Sequence, residues 1–145
     1  MKLRVVSYKA CPFVQRVLMV LHYKKIEYDI EYIDLASPPD WFLDKSPLKK
    51  VPILMVGDDV IFESSVINEY IDESYENKMH PESAILKAQN RSWIELGSSI
   101  SMCTLSLTLL QNEDEFNDKI AELYGYFDQI EKVLVNKPYF NGDKL

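Results

Sequence analysis

Leu3-Arg-Val-Val-Ser-Tyr-Lys-Ala-Cys-Pro-Phe-Val-Gln-Arg16 begins as a short apolar run and turns, at Lys9-Ala-Cys-Pro12, into a stretch that places Val14, Val17, Leu18 and Leu21 on one face. The run from Leu3 to Tyr8 predicts a buried strand, and the stretch after it predicts a helix. Pro12 falls at the first helical position, where its missing N–H removes nothing the helix needs. Cys11 therefore stands at a helix start, beside unpaired backbone N–H groups and the positive end of the helix, which favour a thiolate over a thiol. Two readings stay open on these residues alone. Cys11 is a nucleophile, or it is a small apolar residue filling the helix start, since free cysteine is among the most buried residue types.

Further along, Ile53-Leu-Met-Val56 and Val60-Ile-Phe62 flank the hairpin signal Gly57-Asp-Asp59, and Ser64 to Tyr75 has the pattern of a helix. The expected order is βαβ, a short helical segment, then ββα. Val14 occupies the place of the second thiol of a Cys-x-x-Cys motif, so the Cys11 site is monothiol. Cys11, Cys103, His22 and His80 are too scattered for a zinc site, and no G-x-G-x-x-G, phosphate-binding loop or Ser/His/Asp arrangement is present. Cys103 lies on the apolar face of a long helical pattern and reads as core.

Four motifs together, Cys11-Pro-Phe-Val-Gln-Arg16, Pro39-Asp-Trp-Phe42, Ser46-Pro-Leu-Lys-Lys-Val-Pro-Ile-Leu54 and Phe62-Glu-Ser64, resemble the glutathione transferases, and within them the cysteine-bearing, omega-like branch. The resemblance implies an α/β thioredoxin-like N-terminal domain (βαβ-ββα, mixed four-stranded sheet) over residues 1–76, followed by a partial all-α domain over 82–145. Polar residues and a proline in Glu76-Asn-Lys-Met-His-Pro81 mark the boundary. It also implies a site. Cys11 would be catalytic, and Val51 would pair its backbone with the cysteinyl part of glutathione. An X-Pro bond is trans by default, with cis in only about 5–6% of cases; the resemblance reverses that expectation for Val51–Pro52. Glu63 and Ser64 would receive the γ-glutamyl end, although Ser64 also reads as a plain N-cap worth about 1 kcal/mol. Lys50 would hold the glycyl carboxylate or be a solvated charge, because the lysine expected near the Trp-Phe motif is replaced by Pro38. Phe13 and Trp41 read either as a wall of the site or as core.

The function the resemblance implies is that of a glutathione-dependent thiol transferase, dehydroascorbate-reductase-like, working through a Cys11 mixed disulfide. Glutathione would be the co-substrate and a small disulfide or an electrophile the acceptor, without a metal. A different class remains beside it: a non-catalytic regulatory protein that keeps the transferase fold as a binding surface, like the stringent-starvation proteins that bind RNA polymerase. A net charge of −7 over 145 residues argues against nucleic acid or an anionic membrane as partner. No apolar run reaches the roughly 18 residues of a membrane span, and two cysteines fit a reducing, cytoplasmic compartment.

Beyond residue 82 two long helices are expected. One carries Ile85, Gln89, Trp93, Leu96, Ile100, Cys103, Leu107 and Leu110; the other is capped by Asn112-Glu-Asp-Glu115 and carries Phe116, Ile120, Leu123, Phe127, Ile130 and Leu134. Lys137-Pro-Tyr-Phe-Asn-Gly-Asp143 resembles the loop before the family's buried sixth helix. On that reading the helical domain is incomplete in this chain, and a homodimer is implied by resemblance alone.

Overall fold

The computed structural model describes residues 2–143, and the chain divides into two compact units, Met1–Lys78 and Met79–Leu145. In the first, β1 (Leu3–Ser7), α1 (Pro12–Tyr23), β2 (Tyr28–Tyr32), α2 (Asp40–Lys45), β3 (Ile53–Val56), β4 (Asp59–Phe62) and α3 (Ser64–Ser74) follow one another. The sheet order is β2-β1-β3-β4, with β1 parallel to β2 and antiparallel to β3, and β3 antiparallel to β4. This is the mixed four-stranded sheet expected from the motifs. Its topology follows from connection lengths: β1 and β2 can be parallel because α1 carries the chain back across the sheet, whereas β3 and β4 are joined by a two-residue turn. Gly57 takes φ 64° in that turn, a conformation open to glycine without steric cost and suited to the twist of the strands.

The central strands bury nearly every side chain, and Val14, Val17 and Leu21 of α1 pack into one core with Leu3, Val5 and Ile53 of the sheet and with Ile67 and Ile71 of α3. Phe42 anchors α2 and is fully buried. Edge strand β2 keeps charges outward, with Asp29 paired to Lys2 at 2.8 Å and Glu31 to Arg4 at 3.0 Å.

Where α3 ends, two lysines turn their ammonium groups onto the backbone carbonyls of its last turn and of the loop after it. Lys78 Nζ donates to the carbonyls of Asp72, Glu73 and Tyr75 at 2.7–2.9 Å, at the helix end whose dipole favours a cation. Lys24, the C-cap residue of α1, sends its ammonium to Asp72 Oδ1 at 2.8 Å and to the carbonyls of Glu76 at 3.0 Å and Asn77 at 2.8 Å. All three of its N–H donors are thus used, which is what allows a charge on a side chain only 1% exposed to stay out of water.

In the second unit α4 (Ala84–Leu107) packs on α5 (Glu113–Leu134). Asn112 caps α5 as its sequence predicted, with Oδ1 accepting from the amides of Asp114 at 2.9 Å and Glu115 at 3.1 Å, and an acidic first turn complements the dipole. Cys103 is 4% exposed and donates to the Lys119 carbonyl at 3.5 Å, tying α4 to α5. The Trp93 ring stacks on Phe140 of the loop after α5, with centroids 5.0 Å apart. On α5 the Glu122 carboxylate accepts from Lys119 Nζ at 2.6 Å and from the Tyr126 hydroxyl at 2.9 Å. The Lys119 hydrogen bond first, and the Tyr126 hydrogen bond second, hold the Glu122 carboxyl below its ordinary value.

Lys24→Met removes the ammonium from a buried pair and should destabilise the protein by about 3–5 kcal/mol, part of which Asp72→Leu in the same chain should restore. Urea unfolding measures it, and a loss below about 1 kcal/mol would place the pair with solvated surface bridges. For Glu122, a depressed folded-state pKa means a contribution to stability that is present above the unfolded value and lost as pH falls through the folded one. Side-chain carboxyl NMR should find Glu122 titrating below the usual glutamate range, with Lys119→Met raising its midpoint more than Tyr126→Phe; a midpoint that neither variant moves would refute the brace.

Candidate functional site

Cys11 is positioned by the way β1 gives onto α1. After Ser7 the chain turns through Tyr8-Lys9-Ala10, closed by the Cys11 amide donating to the Tyr8 carbonyl at 3.1 Å, and Pro12 begins the helix. Cys11 occupies the N-cap with φ −81° and ψ 117°, yet its side chain makes no capping hydrogen bond. The thiol turns instead toward the Val51 carbonyl, at 3.8 Å. It is 9% exposed, and neither Cys11 nor Cys103 is in a disulfide.

Val51–Pro52 is cis, in agreement with the expectation from the motif. The loop before it is held by one buried hydroxyl. Ser46, 2% exposed, donates to the Lys50 carbonyl and accepts from the Lys50 amide, both at 3.1 Å, while Lys49 takes φ 53° to let the chain fold back. Val51 and Pro52 are buried in consequence, and β3 starts directly after them. Ser46 was quoted in the sequence motif without a role; a Ser-Pro pair ahead of a positive-φ lysine is the local signal that points to it. The Lys50 side chain is exposed.

Glu63 and Ser64 differ from their sequence reading in one respect. β4 runs into α3 with only Glu63 between them, so Glu63 alone turns the chain, at φ 65° and ψ 116°, and takes the N-cap position. Ser64 is then the first helical residue and cannot cap. The residue is 3% exposed, and its hydroxyl accepts instead from the Arg16 guanidinium of α1. The Glu63 side chain makes no capping bond either, so among the described residues no capping side chain serves the first-turn amides of α3. Arg16 lies within the first quoted motif but was given no role there; a contact between helices so far apart in sequence leaves no periodic trace.

Phe13 is half-buried, with the Arg16 guanidinium 5.7 Å from its ring centroid. Trp41 makes an edge contact with Phe42 and lies under Arg4, 5.7 Å from its guanidinium, so its partners belong to the core and to β1. The structure thus brings Cys11 to Val51 and Arg16 to Ser64, with Phe13 beside Arg16. It leaves Lys50 outside any such contact. In the second unit, Ser98, Ser99, Met102, Cys103, Ser106 and Tyr126 line an open cleft of about 440 Å³ between α4 and α5. Among the described residues, no group of three or more His, Cys, Asp or Glu could hold a metal ion, and no helix is long and apolar enough to cross a membrane.

Residues 10–74 match the family described as glutathione S-transferase, N-terminal domain. Glutathione S-transferase omega-1 of Sus scrofa is 35% identical over 147 residues, which cover 99% of this chain and 61% of the relative. The probable glutathione S-transferase DHAR1, cytosolic, of Oryza sativa subsp. japonica is 34% identical over 137 residues, covering 93% of this chain and 60% of the relative. A rice glutathione S-transferase solved in complex with glutathione superposes with a TM-score of 0.86 at 23% identity, over 97% of this chain and 66% of that one. The chain therefore spans about three fifths of the length of the curated relatives it matches. Sequence motifs, sheet order and these likenesses agree: residues 10–74 form a glutathione S-transferase N-terminal domain, and omega-class transferases are among the relatives of the chain.

Proposed function

We propose that this chain carries a glutathione site for thiol transfer, with Cys11 as the nucleophile. The observation that carries the reading is the meeting of the Cys11 thiol with the Val51 carbonyl at a cis Val51–Pro52 bond. An extended peptide pairing with the Val51 backbone brings its own cysteine beside Cys11. Its γ-glutamyl carboxylate then has the open first turn of α3 and the Ser64 hydroxyl to bind, since a helix N-terminus with unpaired amides is an anion site. Lys50, exposed just before Val51, is the cation this reading assigns to the glycyl carboxylate. Phe13 closes the apolar side.

In the reaction, the Cys11 thiolate attacks the glutathione sulfur of a glutathionylated disulfide. A Cys11–glutathione disulfide forms and the acceptor leaves as a thiolate that takes up a proton. A second glutathione, as thiolate, attacks the glutathione sulfur of that intermediate, releasing oxidised glutathione and regenerating the Cys11 thiolate. Two thiol–disulfide exchanges balance with one acceptor disulfide reduced and two glutathiones oxidised in all, one of them delivered by the acceptor. Val14 in place of a second thiol makes glutathione, rather than a neighbouring cysteine, the resolving group. A reducing compartment, where both thiols stay free, suits this chemistry.

Exposure to oxidised glutathione followed by intact-mass analysis should give one glutathionyl adduct, mapped to Cys11. Cys11→Ser should lose the adduct and bring turnover of a glutathionyl disulfide down to the buffer rate. An adduct on Cys103 instead, or turnover retained by the serine variant, would leave Cys11 a structural residue and the fold a binding scaffold.

A further inference from the structure

We infer that Arg16 is a positioning residue for glutathione, acting through the Ser64 hydroxyl; this rests on the glutathione site proposed above. A serine hydroxyl has one O–H to donate and two lone pairs to accept with. Inside a helix it normally spends the O–H on the carbonyl four residues back, as Ser92, Ser98, Ser99 and Ser101 all do in α4. Ser64 has neither that option nor the capping one. It is the first residue of α3, so the residue four back, Val60, lies in strand β4, and the N-cap position belongs to Glu63.

What remains is the contact that is seen. The Arg16 guanidinium donates to Ser64 Oγ, a charge-assisted hydrogen bond that occupies a lone pair and turns the O–H away from α1. Among the described residues that O–H has no acceptor, although the residue is only 3% exposed. A buried donor without a partner, at the head of a helix whose first amides are uncapped, is poised for an anionic acceptor. The γ-glutamyl carboxylate is that acceptor in the proposed site. Phe13 supports the guanidinium from its ring face, 5.7 Å away, so the cation that sets the hydroxyl is itself held by the helix that carries Cys11.

Glutathione binding to the whole chain, followed by calorimetric titration, tests this with wild type, Arg16→Met, Ser64→Ala and the double variant. Each single variant should weaken glutathione about tenfold, and the double variant should be no weaker than Ser64→Ala alone, because the effect of Arg16 on glutathione runs through the Ser64 hydroxyl. Arg16→Lys, which restores a cationic donor, should recover part of the loss. Cysteinylglycine, the same ligand without its γ-glutamyl residue, should compete equally well for wild type and Arg16→Met. Arg16→Met should also raise the KM for glutathione in disulfide turnover while leaving kcat unchanged. If Arg16→Met does not fold, Ser64→Ala reads the same contact from α3, and unaltered glutathione affinity in that variant overturns the inference. It is overturned equally by additive losses in the double variant, or by a matching loss of cysteinylglycine, which would mark a role in the fold. A wild type that binds no glutathione at all overturns the proposed function along with it, whereas a wild type that binds and an Arg16→Met that binds as tightly overturn this inference alone.

Discussion

The alignment of α1 against α3 is the constraint on which the rest of the first unit depends, and it is set by two cations on α1. Arg16 reaches Ser64 at the head of α3, and Lys24 reaches Asp72 near its end. Both contacts span the same number of residues, so the two helices run in the same direction and are matched turn for turn. The apolar stripe of Val14, Val17, Leu18 and Leu21 would pack against Ile67 and Ile71 in more than one such match, because hydrophobic contact is not directional. A buried ion pair with three acceptors on one ammonium tolerates only one. Such a pair adds little stability over a well-packed apolar substitute, and its effect is better described as choosing an arrangement. The arrangement matters here because Cys11 begins α1 while the uncapped amides begin α3. Sliding one helix by a turn would displace one from the other by about 5.4 Å.

Much of this unit was legible in the sequence, for reasons that differ from element to element. β1, α1 and the β3–β4 hairpin announce themselves by local periodicity and by Gly57, since each depends on residues close together in the chain. Asn112 and the acidic turn after it mark the start of α5 in the same way. The cis Val51–Pro52 bond was legible only through the family likeness; the residues alone favour trans. Ser64 was read as an N-cap because serine before a helical run usually is one, and that reading failed on a single residue of geometry. With no loop between β4 and α3, Glu63 had to make the turn, and Ser64 was carried into the helix. Lys24 stands in a Lys24-Lys25 pair that carries no sequence signal of its own, and only the fold shows that its ammonium is buried while Lys25 lies exposed at φ 56°. What the sequence hides, in short, are polar contacts between distant helices, which have neither period nor motif.

The two cysteines show how far position decides chemistry when the side chain is the same. Both are buried, both are free, and each points its sulfur at a backbone carbonyl, Val51 for Cys11 and Lys119 for Cys103. Cys103 lies inside α4, where the amides around it are engaged in the helix, and its thiol packs against α5 with the Lys119 carbonyl as its acceptor. Cys11 precedes α1, where the first-turn amides have no partner within the helix, and the carbonyl it meets belongs to the residue before a cis proline. The serines divide along the same line. Those within α4 close their hydroxyls on their own helix, whereas Ser64, displaced to the first position of α3, keeps an O–H without an acceptor among the described residues. The groups on which the proposed function rests are thus ordinary residues placed at helix starts, and the cations of Arg16 and Lys24 hold those starts in mutual position.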